Sequence, residues 1–175
     1  MNTLNVNFDY SVTSNEDLNG SIDFEFSDGN CTKEDVIQAI LEELNNDLGE
    51  GVPEIEETDI ELTDYQCDED IHEDYKSIDE SKKNIFDYAE VFCECDQEAE
   101  IVNAAIDCDI QGSDIDEAYN GEFSSDEDFA QDMAEQLGAI EKNATWPNNC
   151  IDWEYAAKEL MYDYCESNGH YFRNL

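Results

Sequence analysis

The sequence has very little positive charge. Seven Lys and Arg residues stand against 48 Asp and Glu residues, which gives a formal net charge of −41 over 175 residues. Proteins that hold nucleic acid do so with Lys- and Arg-rich surfaces that neutralise phosphates. We therefore exclude nucleic acid as a direct ligand and expect the partner to be a protein that itself binds DNA.

Histidines, long apolar runs and glycine-rich loops are also scarce. With only His72 and His170, a Ser-His-Asp or Cys-His arrangement has little to draw on, and no phosphate-cradling glycine loop occurs. No run of 18 or more apolar residues occurs, and the first ten residues lack the basic start and apolar run of a signal peptide. We expect a cytoplasmic protein that does not bind membranes, is not an enzyme and needs no cofactor.

The seven cysteines form an odd set without the spacing of a disulfide framework. In a reducing compartment this indicates free and mostly buried thiols. Cys93 and Cys95 are separated by one residue, and no second pair follows at zinc spacing, so we predict no zinc site.

One segment has part of the pattern of a calcium loop. Asp107, Asp109 and Gly112 occupy loop positions 1, 3 and 6. Position 8 is Asp114 instead of an apolar residue, and position 12 is Ala118 where the loop needs a bidentate Glu. We therefore predict only weak, diffuse cation binding and no metal site.

The chain nevertheless contains enough apolar residues for a folded core, because 40% of its residues are hydrophobic and 11% are aromatic. Disordered acidic chains are poor in both. Residues 4–10 and 20–27 alternate apolar and polar, which predicts two strands. A helix follows from its cap at Thr32 to Gly49, and 58–66 alternates again. The sequence therefore predicts a ββαβ domain over 1–67.

Two further modules follow a charged linker at 68–83. The segment 84–112 has apolar residues at helical spacing, which predicts a helical middle domain. The segment 113–175 predicts an α+β domain whose elements are an extended piece at 118–123, a helix at 125–137 packed through Phe129, Met133 and Leu137, a helix at 152–165 and a strand at 170–173. The fold class is α+β, with three small modules.

The size of the negative charge is that of a short DNA duplex. Duplex DNA carries one negative charge per about 1.7 Å of axis, so 41 charges correspond to roughly 70 Å, or about 20 base pairs. Such a protein offers a DNA-binding protein an electrostatic attraction like that of an operator-length duplex.

The acidic residues recur at helical spacing opposite the apolar faces of the predicted helices. We predict three ladders, one turn between members: 87, 90 and 94; 128, 132 and 135; and 159, 163 and 166. Lys residues rarely interrupt them, and several members lie in C-terminal halves of helices, where acid opposes the macrodipole by about 0.3–1 kcal/mol per site. The predicted DNA-mimic acidic surface comprises Glu42, Glu43, Asp47, Asp87, Glu90, Glu94, Asp114, Asp116, Glu117, Asp126, Glu127, Asp128, Asp132, Glu135, Glu154, Glu159, Asp163 and Glu166.

The C-terminal module resembles a known family. The residues that carry the resemblance are Ala118 to Phe123, Ser125, Asp128 to Ala130, Ile151 to Leu160 and Tyr171 to Arg173. They are similar to the C-terminal domain of the ArdA antirestriction proteins, and Leu62 to Gln66 is similar to the end of that family's first domain. The helical segment from 84 to 107 suits the family's middle domain.

The resemblance implies an elongated, three-domain protein, usually dimeric, that imitates bent B-form DNA. It also implies the function: occupation of the DNA-binding groove of a host's type I restriction-modification methyltransferase and specificity complex, on behalf of a plasmid, transposon or phage.

Several alternatives remain open from the sequence. A second interpretation of the same features is a DNA mimic that targets another defence system, such as a CRISPR or BREX effector. An acidic calcium-binding protein or histone chaperone, and adaptation to high salt, also produce acidic chains. In histone chaperones the acidic residues often lie in a terminal tail, whereas in this sequence they are spread along the whole chain.

Overall fold

The computed structural model describes residues 1–47, 54–67, 85–140, 145–146 and 150–175. Within these ranges six α-helices and six β-strands occur, which confirms the α+β class. The chain forms two compact units, Met1–Asn103 and Ala104–Leu175. The division into modules at 1–67, 84–112 and 113–175 stays a prediction, and the expected linker at 68–83 lies outside the described residues.

The first unit contains the expected ββαβ order. Its elements are β1 (Leu4–Val12), β2 (Gly20–Phe26), α1 (Lys33–Asp47) and β3 (Ile60–Cys67). The three strands form an antiparallel sheet in the order β2-β1-β3. Burial alternates along β1, because successive side chains of a strand point to opposite faces.

Helix α1 starts at the predicted cap. The Thr32 side chain accepts a hydrogen bond from the Asp35 amide at 3.2 Å, and the Asp35 carboxylate accepts one from the Thr32 amide at 2.9 Å. This reciprocal pair satisfies two amides that the helix itself cannot bond. Val36, Ile37 and Ile40 form its buried side, whereas the expected end of the helix at Gly49 lies outside the described residues.

Two helices follow, α2 (Ile85–Glu94) in the first unit and α3 (Ala99–Asp107), which crosses the boundary between the units at Asn103. The ring of Phe86 on α2 stacks on Phe8 at a centroid distance of 5.7 Å and meets Phe26 edge-on at 6.0 Å. Aromatic pairs in these geometries stabilise beyond the area they bury. The apolar face predicted for α2 therefore packs on the inner face of the sheet.

The second unit contains α4 (Gly112–Ala118), β4 (Tyr119–Glu122), α5 (Asp126–Gln136), α6 (Trp153–Leu160), β5 (Tyr164–Ser167) and β6 (His170–Arg173). Its antiparallel sheet has the order β4-β6-β5. The core is aromatic: Phe129 stacks on Tyr171 at 4.4 Å and meets Phe123 and Tyr164 at 5.2 and 5.0 Å. The predicted strand at 170–173 is confirmed.

The predicted helix at 152–165 is wrong after Leu160. The chain turns there, and residues 164–167 form β5, which pairs with β6 from Ser167↔His170 onward. Asn168 and Gly169 make the two-residue hairpin loop, with φ of 51° and 86°. Asn-Gly favours this turn because both residues tolerate the left-handed region, so hairpin pairing takes the place of the last helical turns.

The predicted packing of Leu137 is also wrong. Helix α5 ends at Gln136, and Leu137 is 76% exposed. Gly138, with φ of 69°, donates to the Glu135 carbonyl at 3.0 Å, and Ala139 donates to the Ala134 carbonyl at 2.9 Å. The chain leaves the helix direction at this glycine-terminated cap. The Leu137 side chain therefore lies at the surface instead of in the core.

The expectation that all thiols are free is wrong for one pair. Cys108 and Cys165 form a disulfide with a Cα–Cα distance of 5.8 Å, which joins the end of α3 to β5 across 57 residues. The other five cysteines lie outside this disulfide, and Cys31, Cys93 and Cys95 are buried as expected.

Candidate functional site

The carboxylates lie outside the core throughout the described chain. No Asp or Glu side chain that the structure describes is buried, and His170 is the only buried polar or charged side chain among them. A buried carboxylate would need a partner to offset its lost hydration. The described carboxylates therefore lie at the surface instead of in buried ion pairs.

Some of these acids have a purely structural explanation. Asp126, Glu127 and Asp128 occupy the first turn of α5, behind the N-cap Ser125. Glu154 occupies the first turn of α6. Negative charge near a helix N-terminus is favourable because it faces the positive end of the macrodipole. Acid at these positions stabilises the helices, so its placement at the N-termini does not by itself require a partner.

Acid at the opposite ends of the helices has no such explanation. Each of the six α-helices that the structure describes carries a carboxylate in its last turn, and only α6 also carries a basic residue there, Lys158. Acid at these positions opposes the macrodipole by about 0.3–1 kcal/mol each. The residues are Asp47, Glu94, Asp107, Glu117, Glu135 and Glu159. The helix macrodipole therefore does not explain acid at these positions.

Two of the three predicted ladders lie on single helices. Asp87, Glu90 and Glu94 are exposed or half-buried on α2, which buries Phe86, Ala89 and Phe92. The second ladder, residues 128, 132 and 135, is likewise exposed or half-buried on α5. With 5.4 Å per helical turn, successive members are separated by about one turn along each axis.

The third ladder is wrong as a helical set. Glu159 lies on α6, Asp163 lies in the turn after it, and Glu166 lies on β5. The Glu166 carboxylate accepts a hydrogen bond from the Gly169 amide at 2.7 Å, so it fastens the β5–β6 turn. All three side chains remain exposed.

The outer face of the first sheet is an acidic surface that the sequence reasoning missed. Asp9 on β1 lies directly opposite Asp64 on β3, and like charges in that position are destabilising. Neighbouring Asn7 donates to Asp23 on β2 at 2.6 Å. The exposed acids of these strands are Asp9, Asp23, Glu25, Glu61 and Asp64. Two-residue alternation assigns Asp9, Asp23, Glu25 and Glu61 to this face, whereas Asp64 joins them only because the register of β3 shifts by one residue between Leu62 and Asp64.

The remaining predicted residues are distributed over four helices. Glu42 and Glu43 lie on α1, residues 114, 116 and 117 on α4, residues 126 and 127 on α5, and Glu154 on α6. Each is exposed or half-buried. Asp47 is the last residue of α1, and its side chain lies outside what the structure describes.

Little positive charge offsets these carboxylates in the described ranges, where the basic residues are Lys33, Lys158 and Arg173. Arg173 lies 3.8 Å from the Glu117 carboxylate, and both side chains are more than half exposed. Exposed pairs of this kind stabilise by at most about 1 kcal/mol. The acidic surface is therefore available to an external cation.

A metal centre is not evident in the described residues, where no group of three or more His, Cys, Asp or Glu could hold an ion. The segment that resembles a calcium loop contains the end of α3 and all of α4. There the Asp107 carboxylate accepts from the Ser167 hydroxyl at 3.0 Å. Across the same described ranges, no helix is both long and apolar enough to span a bilayer.

A family model for the antirestriction protein ArdA matches residues 19–172 of the chain. The chain belongs to the ArdA family. The match contains β2 and β3 of the first sheet and, apart from Arg173, all three strands of the second sheet. It also contains all the C-terminal residues on which the resemblance depended, again except Arg173. No curated protein and no solved structure matches the chain. Membership of the ArdA family indicates antirestriction as the activity of this chain. The question is then how the acidic surface could produce that activity.

Proposed function

We propose that the protein is a DNA mimic that competes with duplex DNA for the binding groove of a type I restriction-modification enzyme. It acts by occupation and not by catalysis. Two findings support this mechanism: membership of the ArdA antirestriction family, and a surface on which every described carboxylate is exposed or half-buried.

The placement of acid at helix ends carries the proposal. A generic solvated surface places acid at helix N-termini and base at C-termini, because both choices stabilise the helix. Here acid occupies the last turn of every described α-helix. An inhibitor that must present negative charge to a basic groove gains binding energy at these positions that exceeds the loss of helix stability.

The proposed contact surface comprises the 18 predicted acidic residues together with the acids of the first sheet's outer face. We further propose that the protein acts in the cytoplasm as a homodimer. A dimer doubles the charge to the equivalent of about 40 base pairs, the scale of a two-part recognition site with its flanks.

Displacement of DNA from a purified type I methyltransferase tests the proposal. A labelled duplex bound to the enzyme is titrated with the protein at about 50, 100 and 200 mM KCl. We expect full displacement, with the inhibition constant rising at least tenfold over this range, because contacts that replace phosphates weaken steeply with salt. An inhibition constant that is flat over the range would contradict the mechanism.

A charge-matched pair of variants separates the surface from bulk charge. The first variant carries Asp128→Asn, Asp132→Asn and Glu135→Gln on α5. The second removes the same three charges at exposed positions outside the proposed surface, through Asp17→Asn, Asp28→Asn and Glu98→Gln. We expect the first to lose at least five times more inhibition than the second, with circular dichroism showing that both fold. Equal losses would mean that total charge, and not this surface, causes inhibition.

A further inference from the structure

A groove of about 460 Å³ runs between the start of α5 and the end of α6 in the second unit. Its floor is apolar and aromatic, made by Ala157, Met161 and Tyr162. Tyr162 is 71% exposed, a large fraction for an aromatic residue, so part of its ring is accessible to a partner. The rim is formed by Asp126, Glu127, Glu154 and Lys158.

Hydrogen bonds hold the walls of this α5–α6 groove in place before any partner arrives. The Tyr171 hydroxyl donates to Asp126 at 2.7 Å, and the Asp152 side chain caps α6 by accepting from the Tyr155 amide at 3.1 Å. The Met161 amide donates to the Ala157 carbonyl at 2.9 Å. A preformed site avoids the entropy cost of ordering side chains during binding.

Asn174, the residue after β6, holds the backbone at the Tyr162 end of the groove floor through two hydrogen bonds. The Asn174 amide donates to the Asp163 carbonyl at 2.9 Å, and the Asn174 side chain donates to the Tyr162 carbonyl at 3.4 Å. The backbone that carries the exposed tyrosine is therefore fixed from both sides.

The combination of a ring, a short apolar floor and carboxylates fits an arginine side chain. A guanidinium group is planar, stacks on aromatic rings and forms two parallel hydrogen bonds with a carboxylate. Its aliphatic stem can lie on apolar atoms while the head reaches the rim. A lysine ammonium matches the charge of the rim but gains less from the ring, because it is compact and strongly hydrated.

Lys158 adds a repulsive element to the same groove. Three carboxylates and one ammonium leave the rim with a net charge of −2, which still favours a cation. The ammonium competes with an incoming guanidinium for the carboxylates, so it should weaken binding. Removing the charge of Lys158 should therefore raise the affinity of the groove for an arginine side chain.

We propose that the α5–α6 groove is the socket for one arginine side chain of the target enzyme's DNA-binding groove. The assignment rests on the proposed function, because it names a local contact within that acidic surface. Arginine is enriched among the residues that dominate the energy of protein interfaces, especially where it enters a preformed pocket.

Inhibition of the methyltransferase provides the first test. We expect Tyr162→Ala and Glu154→Gln each to weaken inhibition about tenfold and Lys158→Met to strengthen it about threefold. Tyr155→Ala is the control for the ring, since Tyr155 lies on α6 in the same unit, is 62% exposed and does not line the groove. Glu122→Gln is the control for charge, since Glu122 is exposed in the same unit and is not part of the proposed surface. Variants no weaker than their controls would overturn the socket while leaving the mimicry intact.

A peptide experiment tests the socket without the enzyme. Binding of a tetra-arginine peptide and a tetralysine peptide to the whole protein is measured by calorimetry at about 100 mM KCl. We expect at least a fivefold preference for arginine, which Tyr162→Ala abolishes and Tyr155→Ala retains. Equal affinities for both peptides would overturn the socket. Failure of the wild-type protein to displace DNA, together with a retained arginine preference, would instead overturn the proposed function.

Discussion

Tyr171 connects the aromatic core of the second unit with the acidic surface. Its ring stacks on Phe129 and is 2% exposed, while its hydroxyl donates to Asp126. Burial raises the pKa of Tyr171 above its usual value of 10.0, and the hydrogen bond to Asp126 raises it further. Burial also raises the pKa of Tyr65 to about 12, with smaller contributions from Cys67 and Asp64.

These tyrosines predict a loss of stability at alkaline pH. The unfolded chain releases the proton near pH 10, whereas the folded protein still holds it. The stabilisation is therefore complete below pH 10 and is lost as the pH rises above it. We expect urea unfolding between pH 9 and 12 to show a falling free energy of unfolding, and a shallower fall in Tyr171→Phe. Tyr155→Phe, at an exposed position, should keep the wild-type slope.

The Cys108–Cys165 disulfide predicts a redox-dependent stability of the second unit. Closing a loop of 57 residues stabilises by about 4 kcal/mol in the loop-entropy model. We expect Cys165→Ser or a reductant to lower the free energy of unfolding by about this amount. Cys150→Ser, at an exposed cysteine outside the disulfide, should change it little. Thiol titration in denaturant should give five thiols before reduction and seven after it, and seven before reduction would contradict the bond.

At the scale of elements, the two ends of α6 have opposite relations to their acids. Glu154 lies in the first turn, where its charge favours the helix, and Glu159 lies in the last turn, where its charge opposes it. The same substitution should therefore have opposite effects on stability at the two positions.

We expect Glu154→Gln to lower the free energy of unfolding and Glu159→Gln to raise it, by about 0.3–1 kcal/mol in each case at low ionic strength. Urea unfolding at about 0.02 M and 1 M KCl measures both effects. The difference between the variants should nearly vanish at high salt, because charges at the surface are then screened. The same sign for both variants would remove the helix-end argument for the acidic surface.

Local patterns predicted most of these elements, and distant contacts decided the rest. The strands β1, β2 and β6 and the helices α1 and α5 follow from alternation, caps and helical spacing in neighbouring residues. Strand β5 was missed because its first residue, Tyr164, continues the apolar spacing of α6, although the Asn168-Gly169 pair indicated a hairpin. The disulfide joins residues 57 apart, and seven cysteines allow too many pairings to choose one from the sequence.

The candidate site was predictable to a similar extent. Acids on α2 and α5 could be assigned to exposed faces because the apolar residues opposite them define those faces. The positions of Asp163 and Glu166 depended on where α6 ends, and the α5–α6 groove depends on the packing of two helices that are separated by residues 137–152. Neither is encoded in a local pattern.

At the scale of the whole molecule, a net charge of −41 opposes folding through self-repulsion. Screening shortens the range of that repulsion from about 30 Å at 0.01 M salt to about 10 Å at 0.1 M. Added salt should therefore stabilise the fold while it weakens the attraction to a basic groove.

We expect the midpoint of thermal unfolding to rise between about 0.01 and 0.3 M KCl, over the range in which inhibition becomes weaker. The variant with Asp128→Asn, Asp132→Asn and Glu135→Gln should show a smaller rise, since it carries less repulsive charge. A midpoint that does not change with salt would show that self-repulsion is negligible in this protein.

The separation of apolar interior and acidic exterior has a consequence for how this chain can change over generations. No described carboxylate is buried in the core, so most negative charges can be gained, lost or shifted without repacking it; Asp126, which accepts from the buried Tyr171 hydroxyl, is an exception. Each such step can be selected on its own. Under the proposed function, a protein with this architecture can adapt to changes in its target enzyme by single substitutions of surface residues.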